Sequence, residues 1–276
     1  MAGLLAVAAL AGCSSDNDAE AKPTKQGTSG AASSPAQVVQ ATNKKTVAAR
    51  SARVVITSTV AADGKSEKIT GRGAMDFAHG SSQLTMGQDG KHLEQRVVDK
   101  TLYQKPPKGE GKLPGGKTWM KIDLAKLAAS GAAGSSQASD PADSFAYSNS
   151  LSRKDVKKIG EEKVTGVDTT HYRVMLDIDK LAQGDEQKAK KLRQQLGESV
   201  PVDLWVDDKG LTRRQQMEMT VHSPGSTSSS SSKAKGKVKT VMEFSDFGTD
   251  INVSKPPASD TADMTDKLIQ QQSQKA

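Results

Sequence analysis

Val200-Pro-Val-Asp-Leu-Trp-Val-Asp-Asp-Lys-Gly-Leu-Thr-Arg213 decides how this chain is read. Val200, Val202, Leu204 and Val206 alternate with Pro201, Asp203 and Trp205, the period-two pattern of a strand with one apolar face. Asp207-Asp208-Lys209-Gly210 is a hairpin turn, since Asp and Gly tolerate the backbone that a tight reversal needs. Met217, Met219 and Val221 then resume the alternation on a return strand.

Working outward, the same grammar recurs. Val54, Ile56, Ser58 and Val60 share a face from Ala52 onward, and Asp63-Gly64 turns the chain. Ile69, Gly71, Gly73, Met75 and Phe77 form the next apolar face, continued by Leu84 and Met86 up to a turn at Asp89-Gly90. His92–Val98, Thr101–Gln104 and Thr118–Ile122 read as further strands. After residues 128–150, a small-residue loop longer than connections usually are, strands resume at Asp155–Val164. Tyr172, Val174, Leu176 and Ile178 follow, and Val238–Phe247, carrying Met242, is the last long strand. Ser34-Pro35 starts a helix that runs to about Ala49, because a hydroxyl cap precedes a proline at the first helical position. Asp179–Leu196 reads as one charged helix closed by Gly197, and Asp260–Gln271 as a terminal helix.

The expected fold class is therefore α+β. A single highly curved antiparallel sheet of about 10–11 strands carries helices on its concave side and leaves one face wet. Two separate domains fit less well, because neither half has the large apolar residues for its own core. Only 34% of the 276 residues are hydrophobic and 3% aromatic, so the core is built from small aliphatics and part of the chain is tether.

Met1–Cys13 reads MAGLLAVAALAGC, an apolar run too short to span a bilayer. Leu10-Ala11-Gly12-Cys13 resembles a bacterial lipobox, which implies a diacylglyceryl group on Cys13, the single cysteine of the chain. No Lys or Arg precedes the apolar run, which points to a start codon further upstream. The expected organisation is a signal peptide over 1–12 and a lipidated cysteine with a flexible tether over 13–34. A lipid-binding domain then occupies 35–272.

Three stretches carry a family resemblance. They are the 200–213 hairpin, Gly160-Glu-Glu-Lys-Val-Thr-Gly-Val-Asp-Thr-Thr-His-Tyr-Arg-Val174, and Phe244-Ser-Asp-Phe-Gly248 running into Val253-Ser-Lys-Pro-Pro257. With the lipobox, their order and spacing resemble actinobacterial lipoproteins of the LppX/LprG type over roughly residues 36–270. The resemblance implies a LolA/LolB-like half-barrel whose concave face keeps an apolar cavity for acyl chains. It also implies a non-catalytic envelope protein, held by its lipid anchor on the extracytoplasmic face of the cell membrane, that binds or carries acylated lipids or glycolipids.

The candidate cavity lining is Val54, Ile56, Ile69, Gly71, Gly73, Met75, Phe77, Leu84, Met86, Val174, Leu176, Val202, Leu204, Met217, Met219 and Met242. Flexible, polarisable methionine suits a variable apolar guest. Gly71 and Gly73 either leave room in the concavity or permit the sheet to bend. Burying acyl chain is worth about 0.8 kcal/mol per CH₂, so a chain of about 16 carbons contributes up to roughly 12 kcal/mol before ordering costs. The competing reading is an ordinary packed core, which would make the protein a surface-tethered interaction or envelope-sensing module.

Other chemistries are weaker. Gly111-Lys-Leu-Pro-Gly-Gly-Lys-Thr118 matches the P-loop spacing, but a strand rather than a helix follows it and Pro114 removes an amide. His79, His92, His171 and His222 have no metal-ligand spacing, and His171, out of phase with Tyr172, is expected to face solvent. No G-x-S-x-G elbow is present, so no enzyme is read here. The net charge of +7 is scattered without stacking aromatics, which argues against nucleic acid. Arg213-Arg214, Lys157-Lys158 and Lys190-Lys191 are candidate contacts for anionic headgroups, weighed against plain solvated charge. The expectation is a monomer with no cofactor, no nucleotide and no metal, with an export transporter as a further candidate partner.

Overall fold

The computed structural model describes residues 33–62, 64–88, 90–110, 113–130, 141–182, 184–222 and 235–273. Cys13, most of the tether and the 223–234 segment lie outside the described residues.

Among the described residues, twelve strands form one sheet in the order β12-β6-β5-β4-β3-β2-β1-β11-β10-β9-β8-β7. They are β1 (Ser51–Ala62), β2 (Lys65–Asp76), β3 (Ser81–Gln88), β4 (Lys91–Val98), β5 (Thr101–Lys105) and β6 (Trp119–Asp123). Then come β7 (Val156–Val164), β8 (Val167–Asp177), β9 (Ser199–Asp207), β10 (Thr212–His222), β11 (Lys235–Ser245) and β12 (Thr261–Asp263). Neighbours are antiparallel except β12 on β6. The two blocks of strands in the sequence are two meanders, and β11 joins them by pairing with β1 from Arg53–Ser245 to Ala61–Lys237. The twelfth strand is the one the sequence pattern omits: three residues, Thr-Ala-Asp, are too few to show a period.

Among the described residues, five helices accompany this sheet: α1 (Pro35–Ala48), α2 (Leu124–Ala129), α3 (Ile178–Ala182), α4 (Glu186–Leu196) and α5 (Thr265–Ser273). The expected single helix over 179–196 is two, broken at Gly184, whose φ is +86°, and restarted by Asp185 capping the amide of Lys188. Asp260 ends a short 3₁₀ turn, so the terminal helix begins only at Thr265.

The start of α1 is as expected. Ser34 and Gln37 exchange side-chain-to-amide hydrogen bonds in a capping box, and Pro35 follows. Its buried face is unusual in being half polar: Ala36 and Val39, but also Thr42, Asn43 and Thr46. Thr46 Oγ1 accepts the amide of Thr212 at 3.0 Å, Gln40 donates to the Leu151 carbonyl at 3.1 Å, and Asn43 donates to the Phe145 carbonyl. Hydrogen bonds thus seat a helix whose apolar stripe is thin.

Two apolar clusters meet α1. One joins Ala36 and Val39 to Val156, Tyr172, Val174, Leu176, Val200, Val202, Leu204 and Val206. The other joins Ala52, Val54, Met75, Phe77, Leu84, Phe145 and Phe244, with Val47 packed against it. The contributing strands run from β3 to β7, about 34 Å across if the sheet were flat. A helix of 14 residues is only about 21 Å long. α1 and Phe145 together cover the inner face over these strands, and the side they cover is the concave side.

The long small-residue segment is not simply a surface loop. Leu124–Ala129 is helical, and Pro141–Ser150 makes 3₁₀ turns that insert Phe145 into the core. Phe145 is 2% exposed and lies 5.8 Å from the Phe77 ring and 5.7 Å from the Phe244 ring. Three of the four phenylalanines of the chain therefore meet at one point.

Candidate functional site: the inner face of the sheet

Ladder register places the expected lining residues in rows across the inner face. One row runs Leu204, Gln215, Met242, Ile56, Gly71, Met86 and Leu93. The next runs Val202, Met217, Thr240, Ser58 and Ile69. A deeper row holds Phe244, Val54, Gly73 and Leu84. The alternation read from the sequence thus assigns these residues to one face.

Depth divides them. Val54, Met75, Phe77, Leu84, Val174, Leu176, Val202 and Leu204 are buried in the two clusters and serve as packed core. Ile56, Ile69, Met86, Met217, Met219 and Met242 are only partly buried, and Val60, one row further out, is 39% exposed. Between the helix-covered core and the sheet margin lies an apolar band rich in methionine. Leu192 and Leu196 of α4 reach its Met217 and Met219 side.

The glycines resolve toward bending. A Cβ on Gly73 would sit 1.9 Å from the Gln83 carbonyl oxygen, so β2 and β3 approach too closely there for any side chain. At Gly71 the space is filled by the side chain of Met86, whose Cγ would lie 2.9 Å from an added Cβ.

Polar atoms on this face are few. Ser58 and Thr240 pair their hydroxyls at 2.8 Å. Gln215 is 4% exposed between Leu204 and Met242, and its Oε1 has no hydrogen-bond partner among the described residues. A buried amide oxygen left unpaired costs about 1–3 kcal/mol, so a ligand hydroxyl or amide that reached it would find a strong acceptor. Sequence reasoning passed over Gln215 because a glutamine in a strand usually marks the wet face. Tyr147, packed against the first cluster, is partly buried with its hydroxyl fully enclosed, and this burial pushes its phenol pKa far above the usual value, against a smaller opposing effect from Asn43.

The outer face is not uniformly wet. His171, Trp205, Arg214 and Glu243 form a continuous row across β8 to β11. The imidazole stacks on the indole at 4.3 Å and 11°, and the Arg214 guanidinium lies 5.3 Å from that ring. Trp205 Nε1 donates to Glu162 at 2.6 Å, and Asp203 accepts from Arg173 at 2.9 Å with His171 Nε2 at 2.8 Å. The expectation that His171 faces solvent is corrected: its side chain is 12% exposed because Trp205, Glu162 and Asp203 enclose it. Arg213 and Arg214 are likewise engaged internally, with Asp207 at 2.7 Å and Glu243 at 2.6 Å, which leaves them poor headgroup contacts. Lys158 pairs with Glu161, while Lys157 and Lys190 are exposed.

The P-loop-like stretch, of which residues 111 and 112 lie outside the described residues, has no helix behind it. Pro114–Gly116 is a 3₁₀ turn and β6 follows. Thr118 is held by Asp260 through its hydroxyl at 2.6 Å and its amide at 3.1 Å. No helix among the described residues is long and apolar enough to cross a membrane.

No family model matches the chain. The chain is 29% identical over 267 residues to an uncharacterized 31.2 kDa protein from the rplA-rplJ intergenic region of Streptomyces griseus. That alignment covers 86% of this chain and 81% of the relative. It is 26% identical over 213 residues to a protein of Streptomyces coelicolor named as a candidate lipoprotein, with 75% of this chain and 64% of that protein aligned. Among solved structures, LppX, a lipoprotein of Mycobacterium tuberculosis, aligns at a TM-score of 0.46 and 14% identity over 78% of this chain and 98% of its own. LprF of Mycobacterium bovis aligns at 0.45 and 17% identity over 81% and 99%. The chain is thus similar to proteins of actinobacteria, among them LppX, which carries the name of a lipoprotein.

Proposed function

We propose that this protein is a lipid-anchored envelope protein that binds acyl chains non-covalently on the concave face of its sheet. The observation that carries the reading is the band of partly exposed Ile56, Ile69, Met86, Met217, Met219 and Met242, continuous with the core but not covered by it. Contiguous apolar surface on a soluble domain is unfavourable unless something covers it, and an acyl chain needs no other recognition than such a surface. Methionine side chains adapt to guests of different length. The lipobox-like Leu10-Ala11-Gly12-Cys13 supports attachment through Cys13, on the extracytoplasmic face of the cell membrane. The Ser/Ala/Gly/Lys-rich stretch after it supports a tether of about 20 residues that lets the domain reach the bilayer. The name of the Streptomyces coelicolor relative agrees with that anchor.

Native mass spectrometry tests this on the full chain carrying Cys13→Ala, purified from an actinobacterial host. The expected result is a mass excess that organic extraction removes and that yields acyl lipid. A bare polypeptide mass, together with no rise in Tm on adding palmitate, would favour an interaction module without a ligand.

A further inference from the structure

The ladder between β9 and β10 stops early. It runs from Thr212 opposite Val206 to Met217 opposite Val202 and goes no further. Both strands continue past that point on their other sides. β10 stays paired with β11 through Met219–Val238 and Thr220–Lys237, and β9 stays paired with β8 through Met175–Pro201 and Asp177–Ser199. The sheet is therefore split between 199–201 and 218–220. Pro201 stands at the split, and having no amide hydrogen it cannot contribute a donor to a ladder there.

An open cleft of about 390 Å³ lies at the split. This falls within the roughly 300–1,000 Å³ of sites that hold small ligands. Its lining changes character through the thickness of the sheet. Val200 and Met219 lie in phase with Val202 and Met217 on the inner face, and Leu196 joins them from the end of α4. Arg173, Asp203, Glu218 and Lys237 line it from the outer face, with Arg173 paired to Asp203 at 2.9 Å and Lys237 exposed. Its lining is thus apolar where it adjoins Met219 of the band and charged toward the outer face.

We propose that this split is a headgroup subsite: an acyl amphiphile threads the sheet between β9 and β10, its chain on the inner band and its polar head beside Lys237 and the freed strand edges, with Arg173 held back by Asp203. The inference rests on the acyl-binding reading above and adds where the head lies. A head placed there stays hydrated and needs no passage through the core, where an uncompensated polar group is costly. Facing strand edges that have lost their ladder offer backbone donors and acceptors to a carboxylate, hydroxyl or amide.

Two palmitate probes test it on the full Cys13→Ala chain, one with a diazirine near the carboxyl end and one near the methyl end. The expected result is carboxyl-end labelling within 199–201 and 218–220, and methyl-end labelling near Ile56, Met86 or Met242. Met219→Trp, which fills the cleft, is expected to cut carboxyl-end labelling at least tenfold. Lys237→Ala, at an exposed position that folding does not need, is expected to cut it severalfold. Saturable labelling of the inner band by both probes, unchanged in both variants, overturns the headgroup subsite and leaves acyl binding standing. Absence of saturable labelling by either probe overturns acyl binding itself.

Discussion

Replacing Gly73 and Gly71 separately by alanine distinguishes a sheet that needs its glycines to bend from one that keeps them empty for a guest. At Gly73 the new methyl would lie 1.9 Å from the Gln83 carbonyl oxygen and 2.9 Å from both the Gln83 carbonyl carbon and the Leu84 Cα. All three are backbone atoms of β3, so relief requires the β2–β3 ladder to part over Gly73–Leu84. Forced overpacking of this kind costs about 1–3 kcal/mol and more where backbone must move, so we expect about 3 kcal/mol. For a domain of this size that lowers Tm by roughly 6–12 °C. At Gly71 the nearest atom is Met86 Cγ at 2.9 Å, part of a flexible side chain that can swing away. Alanine also restricts the unfolded chain, a gain of about 0.4–1 kcal/mol where the backbone is compatible, so Gly71→Ala is expected within about 1 kcal/mol of the parent. Urea and thermal denaturation followed by circular dichroism measure both. A Gly73→Ala protein as stable as Gly71→Ala would refute the argument that β2 and β3 touch backbone to backbone. Because Met86 belongs to the exposed band, Gly71→Ala should also weaken palmitate binding through the displaced side chain, without a matching loss of stability.

Phe145→Ala should destabilise by about 3–5 kcal/mol, measured by urea titration, since the ring is buried against Phe77 and Phe244; a loss under 1 kcal/mol would mean the 141–150 segment is not part of the core. Asp155 is buried, which by itself raises its pKa, but Lys180 at 2.7 Å and Ser152 at 2.7 Å outweigh this and hold the carboxyl at about 2. Its folded pKa lies below the unfolded one, so its contribution is full above about pH 4 and disappears as pH falls toward 2. Asp155→Asn should therefore lose about 1–2 kcal/mol at pH 7 and converge on the parent near pH 2, a convergence that acid titrations of Tm would reveal or deny. Ile56→Glu, in the partly exposed band, should abolish palmitate binding in a fluorescence displacement assay while the far-ultraviolet spectrum stays unchanged. Unaltered affinity would remove the band from the site. Cys13→Ala should release the protein from the membrane fraction and eliminate incorporation of an alkyne-tagged fatty acid; retention of the tag would place the acyl group elsewhere.

Strand identity was legible because the period-two alternation is local. Val54 with Ile56, Val174 with Leu176 and Val202 with Leu204 each announce a face within a few residues, and turn chemistry at Asp63-Gly64 and Asp207–Gly210 marks the ends. The start of α1 was legible for the same reason, since a cap is a contact between residues three apart. Alternation says which residues share a face but not how deeply they lie. Val54 and Ile56 are neighbours on one face, yet one is core and the other partly exposed, because α1 and Phe145 cover only the deeper rows.

The sequence by itself therefore determined the strands, their faces and a lipobox-like start, all of which follow from residues close together in the chain. Only the tertiary structure decided that β11 pairs with β1 to make one sheet of two meanders, since those partners are about 176–192 residues apart and carry no mutual signal. It also decided that Phe145 belongs to the core, that Trp205 roofs His171 on the outer face, and that Gly73 serves backbone approach rather than empty space. The split beside Pro201 belongs to the same class: proline removes one donor locally, but whether two strands part around it depends on what each pairs with on its far side.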